Sequence, residues 1–262
     1  MLAVFLGAGR LATSLAPALA GCGVRITQVY SRTNESAMRL ALCLEERTSQ
    51  QPAVITDLAA IDGNADIYVY ALRDDVIEWA ARKVAEIDGT RNAIHLHTSG
   101  SVPLQVLSDV FPRAAVLYPF QSFSLGKVVD MTNVPIFVEA TTDEVLAKVR
   151  GLAERLSSQV YVADGERRSW LHVAGVFANN FSNAMFALAE KQLQKADLPF
   201  SVLLPLIRQT AQKMETMTPR EAQTGPASRG DVETIEEHLK MLDGREKEIY
   251  KIVTECIEKG ER

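Results

Sequence analysis

The most constraining feature of this sequence lies in its first twenty residues. A short apolar run, Leu2 to Leu6, leads directly into Gly7-x-Gly9-x-x-Ala12, and Leu15, Leu19 and several small residues follow at helical spacing. Such a run reads as a buried parallel strand, and glycines between a strand and a helix have a mechanical meaning. Gly7 permits a tight turn. Gly9 lets the backbone approach a pyrophosphate with no Cβ in the way, and Ala12 is small enough for the helix to pack closely on the strand. The free N–H groups and positive dipole end of that helix then face the phosphates. The stretch predicts a dinucleotide site with Gly7, Ala8, Gly9, Arg10, Leu11 and Ala12 against the ligand; the alternative is a tight turn that binds nothing.

The following residues repeat the strand–helix theme. Strands are expected at 24–30, 54–57, 65–72, 92–97, 114–117, 134–139 and 159–163, with helices at 35–47, 76–87 and 142–156 between them. This alternation predicts an α/β fold: a doubly wound, mostly parallel Rossmann-type sheet over residues 1–163. The second strand ends in Tyr30-Ser31-Arg32-Thr33, with no acidic residue of the kind that binds ribose hydroxyls. Ser31, Arg32 and Thr33 suit a 2′-phosphate instead, the arginine as charge and the hydroxyls as neutral donors, unless they form an ordinary exposed turn. Ala71, Leu72 and Arg73 end the strand at 65–72 and should lie beside the cofactor, because strand carboxyl ends line the ligand crevice of an open sheet. Asp74 or Asp75 is expected to cap the next helix. His95 and His97 share one strand face; His95 reads as a packed strand histidine, and His97 as either packed or directed to the crevice. Thr98, Ser99, Gly100 and Ser101 follow, offering hydroxyls and exposed backbone to an anionic substrate group, or forming a plain strand-to-helix turn.

After Asp164 the composition shifts to an all-helical pattern, taken here as a second, smaller all-α domain over residues 164–262. Residues 166–195 contain no proline and read as one helix of roughly 30 residues, ~45 Å long. Its first half is apolar on nearly every side and is expected to be buried all round. At about 100° per residue, His172, Asn179 and Asn183 fall within ~40° of one another and Asn180 ~60° further round. Polar groups in such a setting need partners, so they are read either as helix–helix hydrogen-bonding residues or as donors presented to a substrate; His172, Asn180 and Asn183 are the candidate catalytic residues. A helix over 200–217 is expected to end at Pro219. Thr224 to Asp231 should form a stiff loop with Asp231 capping a helix over 232–242, and a charged, solvated helix is expected over 245–259. Arg229 has no evident structural use in that loop, so Thr224 and Arg229 are expected to border the substrate cleft, with Arg229 on a carboxylate or phosphate. The apolar run 200–207 supplies a surface for a homodimer.

The 28 Lys and Arg against 33 Asp and Glu give a net charge of −5, which argues against nucleic acid or an anionic membrane as the main partner. No stretch is long and apolar enough for a membrane span or a signal peptide. Three scattered cysteines imply neither a metal site nor a disulfide framework, and a reducing cytoplasm is the expected compartment.

Four motifs together carry a resemblance that spans essentially the whole chain: Gly7-Ala8-Gly9-Arg10-Leu11-Ala12, His97-Thr98-Ser99-Gly100-Ser101, Pro119-Phe120-Gln121-Ser122-Phe123, and Thr224-Gly225-Pro226-x-x-Arg229-Gly230-Asp231. They resemble a bacterial family named as NADP oxidoreductases, which joins a Rossmann-like domain to a helical domain of unknown function numbered 2520. More distantly the architecture is similar to pyrroline-5-carboxylate reductase, ketopantoate reductase and the β-hydroxyacid dehydrogenases. The resemblance implies NADP(H) as cofactor, with Ser31 and Arg32 on its 2′-phosphate. It also implies a substrate turn at Ser99 and Gly100 joined by Gln121 and Ser122, a catalytic helix beginning near Trp170, and helical C-terminal domains that pair into dimers. Where ketopantoate reductase and the hydroxyacid dehydrogenases have a lysine followed a turn later by asparagine, this chain has His172 and Val176. Asn180 is the residue the family would carry, and Tyr118 stands where it often has a histidine. The expected activity is NADP(H)-dependent hydride transfer to or from a small, anionic carbonyl or imine. An imine reductase of the pyrroline-5-carboxylate reductase type and a non-catalytic NADP-binding sensor are the alternatives.

Overall fold

Ala3, Val4, Phe5 and Leu6 are all fully buried. This explains why the run shows no polar alternation: a parallel strand covered on both faces sends successive side chains into two different cores. A computed structural model describes residues 1–260. Leu2–Leu6 is β1, followed by α1 (Arg10–Gly21), β2 (Arg25–Tyr30), α2 (Asn34–Thr48), β3 (Ala53–Ile55), β4 (Ile67–Tyr70), α3 (Asp74–Val84), β5 (Ile94–His97), α4 (Gln105–Ser108), β6 (Ala114–Pro119), β7 (Ile136–Ala140), α5 (Asp143–Leu156) and β8 (Val160–Val162). The strands form one eight-stranded sheet in the order β3-β2-β1-β4-β5-β6-β7-β8. Every neighbouring pair is parallel except β6 with β7.

Ala3 and Phe5 enter a core with Leu15 of α1, Leu40 of α2 and Leu152 of α5, whereas Val4 and Leu6 enter a second core with Ile77, Ala80 and Val84 of α3. The winding direction reverses between β1 and β4, so the carboxyl ends of those two strands flank the crevice in which sheets of this kind bind ligands. The chain continues with α6 (Gly165–Gly175), a π-helical segment Val176–Phe181, α7 (Ser182–Lys195), α8 (Leu204–Lys213), α9 (Pro219–Ala222), α10 (Pro226–Arg229), α11 (Val232–Met241) and α12 (Gly244–Lys259). It divides into two compact units, Met1–Asn179 and the residues from Asn180 onward, so α6 belongs with the sheet. The doubly wound, mostly parallel sheet followed by helices is the architecture that the residue pattern predicts.

Several local expectations are overturned. The stretch 166–195 is neither uniform nor buried. Its α-helical repeat is interrupted by the π segment, whose wider i→i+5 turns break the constant angular step. The arc that was to hold His172, Asn179, Asn180 and Asn183 therefore does not carry across residues 176–181. All four side chains are exposed, as are Trp170 at 70% and Phe177 at 65%, and from Gly165 to Lys195 only Arg168 is buried. Neither Asp74 nor Asp75 caps α3. Arg73 takes the extended cap position and both acids lie in the first turn, where their charge still suits the helix dipole. Residues 200–217 are not one helix: a 3₁₀ turn, Phe200–Leu203, precedes α8. Pro219 starts α9 rather than ending its predecessor, inside a capping box made by Thr218 and Glu221. The 224–231 loop contains one helical turn, α10, held between Gly225 and Gly230 at positive φ. The last helix is not simply solvated, since Ile249, Val253 and Ile257 line a cavity.

Candidate active site

The glycine turn has the geometry its sequence implies. Gly7 adopts a φ of +111°, and a Cβ there would lie 2.2 Å from the Ala71 carbonyl oxygen. Its N–H donates to the Tyr30 carbonyl at 2.8 Å and the Ala71 N–H donates to the Leu6 carbonyl at 2.8 Å. One turn thus holds the carboxyl ends of β1, β2 and β4 together. Gly9 is the opposite case: it is exposed, and nothing lies within 4 Å of a Cβ built on it. No side chain caps α1 and no acidic residue occupies its first turn, so no side chain serves the N–H groups that a helix start leaves unpaired. Arg10 is exposed, Leu11 half-buried and Ala12 fully buried against the core. Ser31, Arg32 and Thr33 follow β2 beside this turn. The Ser31 N–H donates to the Ile55 carbonyl at 3.2 Å, Thr33 caps α2 through its backbone, and Arg32 is exposed. Leu72 reaches Gly7, while the exposed Arg73 pairs with Asp75 at 2.9 Å.

The turn after β5 was expected to present exposed backbone, but Thr98, Ser99 and Gly100 are buried and only Ser101 is exposed. The cause is a set of contacts that the sequence reading missed. Arg168 of α6, fully buried, donates to the Ser99 carbonyl at 3.3 Å and the Val102 carbonyl at 3.1 Å, and pairs with Glu139 of β7 at 2.6 Å. The Ser99 hydroxyl accepts from the Ser101 and Val102 N–H groups at 3.2 and 3.1 Å, so it shapes the turn. The Ser101 hydroxyl donates to Asp74 at the start of α3. The Thr98 hydroxyl donates to the Tyr70 carbonyl at 3.4 Å.

Tyr118 near the end of β6 completes the group. Its phenol occupies the space a Cβ on Gly100 would need, with the ring and hydroxyl 2.6–2.8 Å from that position. Its hydroxyl is 3.2 Å from Nδ1 of His172. Phe120 similarly fills the Cβ position of Gly175. Arg168, His172 and Gly175, at spacings of four and three, therefore form the face of α6 that meets this end of the sheet. That spacing, with a charged, a polar and a vacant position in one stripe, was the available signal. Burial pushes the Tyr118 phenol above its usual range, with Asp74 adding to the effect and Arg168 opposing it. Burial also lowers His97 to about 3, helped by Arg168 and opposed by Asp74, so its ring, whose Nδ1 accepts from the Ser99 N–H at 3.3 Å, is neutral. His95 is a packed strand histidine, stacked on Tyr68 and Phe111 and hydrogen-bonded to Tyr70 and Thr90.

Gln121 and Ser122 lie exposed beyond β6. In the second unit Asn180 and Asn183 are exposed. Thr224 joins Met185, Leu188, Pro226 and Tyr250 around an apolar cavity of about 320 Å³. Arg229, the last residue of α10, is exposed, and its charge adds to the Thr234 hydrogen bonds that hold the Asp231 carboxyl below its usual range. Among the described residues, no three or more His, Cys, Asp or Glu are grouped so as to hold a metal ion, and no helix is long and apolar enough to cross a membrane.

A glycine turn that opens at the switch point of a doubly wound sheet defines the Rossmann-type class. Residues 134–257 match the model of a domain of unknown function, DUF2520. A crystal structure from Bacteroides fragilis, titled a "putative NADP oxidoreductase", is 42% identical over 98% of both chains, with a TM-score of 0.90. The chain belongs to this family of NADP oxidoreductases bearing the DUF2520 domain. A Thermotoga maritima protein shares the fold at 23% identity over 99% of this chain and 100% of its own, with a TM-score of 0.70. A Plasmodium falciparum pyrroline carboxylate reductase, solved with NADP bound, shares it at 9% identity over 98% of both chains, with a TM-score of 0.60. No curated protein matches the sequence.

Proposed function

We propose that this protein is an NADP(H)-dependent oxidoreductase that transfers a hydride to or from a small, anionic carbonyl or imine. The observation that carries the reading is the Gly7–Ala12 turn. Gly7 is forced to be glycine by its φ and by Ala71, whereas among the described residues nothing lies within 4 Å of a Cβ built on Gly9. The residues present fit a dinucleotide: unpaired N–H groups at the start of α1 for the pyrophosphate, Ser31, Arg32 and Thr33 for the 2′-phosphate, and Ala71, Leu72 and Arg73 along the strand ends. When bound, the nicotinamide supplies or accepts the hydride. In this reading the Thr98–Ser101 turn, Gln121 and Ser122 hold the substrate, and Thr224 and Arg229 receive its anionic group. His172, Asn180 and Asn183 are the polar side chains available for orientation and proton handling.

Residues 1–163 serve as the NADP-binding part and 164–262 as the part for substrate and dimerisation. The homodimer is supported by uncovered apolar side chains on the helices, and a reducing cytoplasmic setting by three free cysteines. Single-turnover oxidation of bound NADPH against a panel of keto acids, cyclic imines and aldehydes tests the activity. Turnover of at least one class is expected. Tight NADPH binding with no turnover of any class would replace the reductase with a non-catalytic sensor.

A further inference from the structure

Tyr118 touches both the 98–101 turn and α6, and its two neighbours differ in a way that gives the contact a direction. On one side it lies against the Cα of Gly100, where a methyl group would be 2.8 Å from its oxygen. On the other it meets His172 Nδ1 at 3.2 Å. Tyr118 is half-buried, whereas His172 is exposed. A hydroxyl at the crest of the substrate turn with a solvent-exposed imidazole behind it has the layout of a proton delivery path. We infer that Tyr118 donates the proton to the reacting substrate and that His172 acts behind it, restoring that proton from water.

This rests on the reductase reading and deepens it. When the imidazole carries its proton on Nδ1, it donates to the phenol oxygen and leaves the phenol O–H free to point forward. As a hydride bonds to the carbonyl carbon, the C=O π pair moves onto oxygen, and that oxygen takes the Tyr118 proton as the phenol O–H bond breaks. As the His172 Nδ1–H proton passes to the phenolate, Nε2 takes a proton from water and leaves hydroxide to solvent. The imidazole thus stays neutral, and exchange with water returns it to the Nδ1–H tautomer. For an imine, nitrogen replaces oxygen as the proton acceptor. Oxidation runs the same path backwards and releases the proton to solvent. Arg168 on α6 and Asp74 on α3 are the charged groups that act on the phenol, with opposite effects. His97, the other imidazole of this turn, is fully buried, so it does not meet solvent as His172 does.

The test uses the full chain labelled with ζ-¹³C tyrosine and needs no substrate for its first arm. The Tyr118 resonance, identified by its loss in Tyr118→Phe, should shift in His172→Ala, which takes away the Nδ1 partner of the phenol. In the second arm Tyr118→Phe, which keeps the ring against Gly100 and Phe120, should bind NADPH within ~2-fold of wild type yet transfer hydride to a panel substrate at least ~10²-fold more slowly. Gly100→Ala, whose methyl group displaces the phenol, should retain cofactor affinity and also lose rate. Wild-type speed in Tyr118→Phe, or a Tyr118 resonance that does not move in His172→Ala, overturns the inference while leaving the reductase reading intact. A wild-type protein that oxidises NADPH with no compound of the panel overturns the reductase reading and this role with it.

Discussion

Two arginines illustrate opposite uses of the same guanidinium. Arg32 is exposed and follows β2 with no acid at the strand end, so its charge is available to a ligand. Arg32→Ala should reduce the preference for NADP(H) over NAD(H) by ~2–3 kcal/mol, the scale of one or two charge-assisted hydrogen bonds. Calorimetric titration with both cofactors measures this, and an unchanged preference would remove Arg32 from the 2′-phosphate site. Arg168 is instead committed within the fold, its charge matched by Glu139 at 2.6 Å and by two carbonyls of the 98–103 turn. Removing one member of a buried pair leaves the other charge uncompensated, at a cost of roughly 3–5 kcal/mol. Glu139→Gln and Arg168→Met should each lower the urea midpoint accordingly, with the denaturant slope preserved. A change below ~1 kcal/mol in both would mean that the pair is water-accessible and does not fix the turn.

At the scale of the element, the β1–turn–α1 unit separates folding from binding glycine by glycine. Gly7→Ala imposes a Cβ on a positive φ and drives it into the Ala71 carbonyl, so backbone must move; loss of ~2 kcal/mol or more is expected. Gly9→Ala meets nothing within 4 Å and should melt within about a degree of wild type, yet bind NADPH at least ~10-fold more weakly if the pyrophosphate passes over it. Thermal melts and cofactor titrations of the two variants should therefore fall in opposite columns. Equal cofactor affinity in Gly9→Ala would place the phosphates elsewhere. The α6 helix makes a related point. Its Arg168–His172–Gly175 face is committed to the ends of β5 and β6, while Trp170 and Val173 remain exposed, so its apolar content is only partly used by its own chain.

For the whole molecule, uncovered apolar surface and buried imidazoles dictate two measurable properties. The helices after Asn180 expose Val202, Leu206, Met241 and Ile252 at 50%, 63%, 76% and 62%, a load that isolated chains rarely carry in one small unit. Light scattering should report twice the 28.8 kDa chain mass, and Leu206→Glu should shift it toward the monomer; a monomeric wild type at micromolar concentration would end the dimer proposal. His95 and His97 are both lowered to about 3 by burial, against ~6.5 in an unfolded chain. Between these values the unfolded state binds more protons, so stability is full above pH ~6.5 and falls as pH drops toward 3. Each imidazole contributes a slope of up to ~1.4 kcal/mol per pH unit. Urea midpoints from pH 7.5 to 4 should show this decline. His95→Phe, although it forfeits the bonds to Tyr70 and Thr90, should make the decline shallower and leave the share of His97; an unchanged slope would mean that His95 plays no part in the acid limb.

The sequence by itself determined the sheet and its cofactor end. The burial of β1 on both faces leaves an uninterrupted apolar run, the turn at Gly7 tolerates no side chain, and helices alternate with strands along the chain. All of these are local or periodic constraints, readable along the chain. Tertiary structure alone decided what the side chains around the 98–103 turn do. Along the sequence nothing distinguishes Arg168, Gly100 reads as exposed backbone of a turn, and Tyr118 as a departure from a family pattern. Their roles depend on α6 arriving over the ends of β5 and β6, a meeting of residues 66 to 69 positions apart for Arg168 and 54 for Tyr118 and His172. No periodicity encodes such contacts. The same limit explains the buried helix that proved exposed: hydrophobic pattern states that a face should be covered, but only the folded assembly states by what.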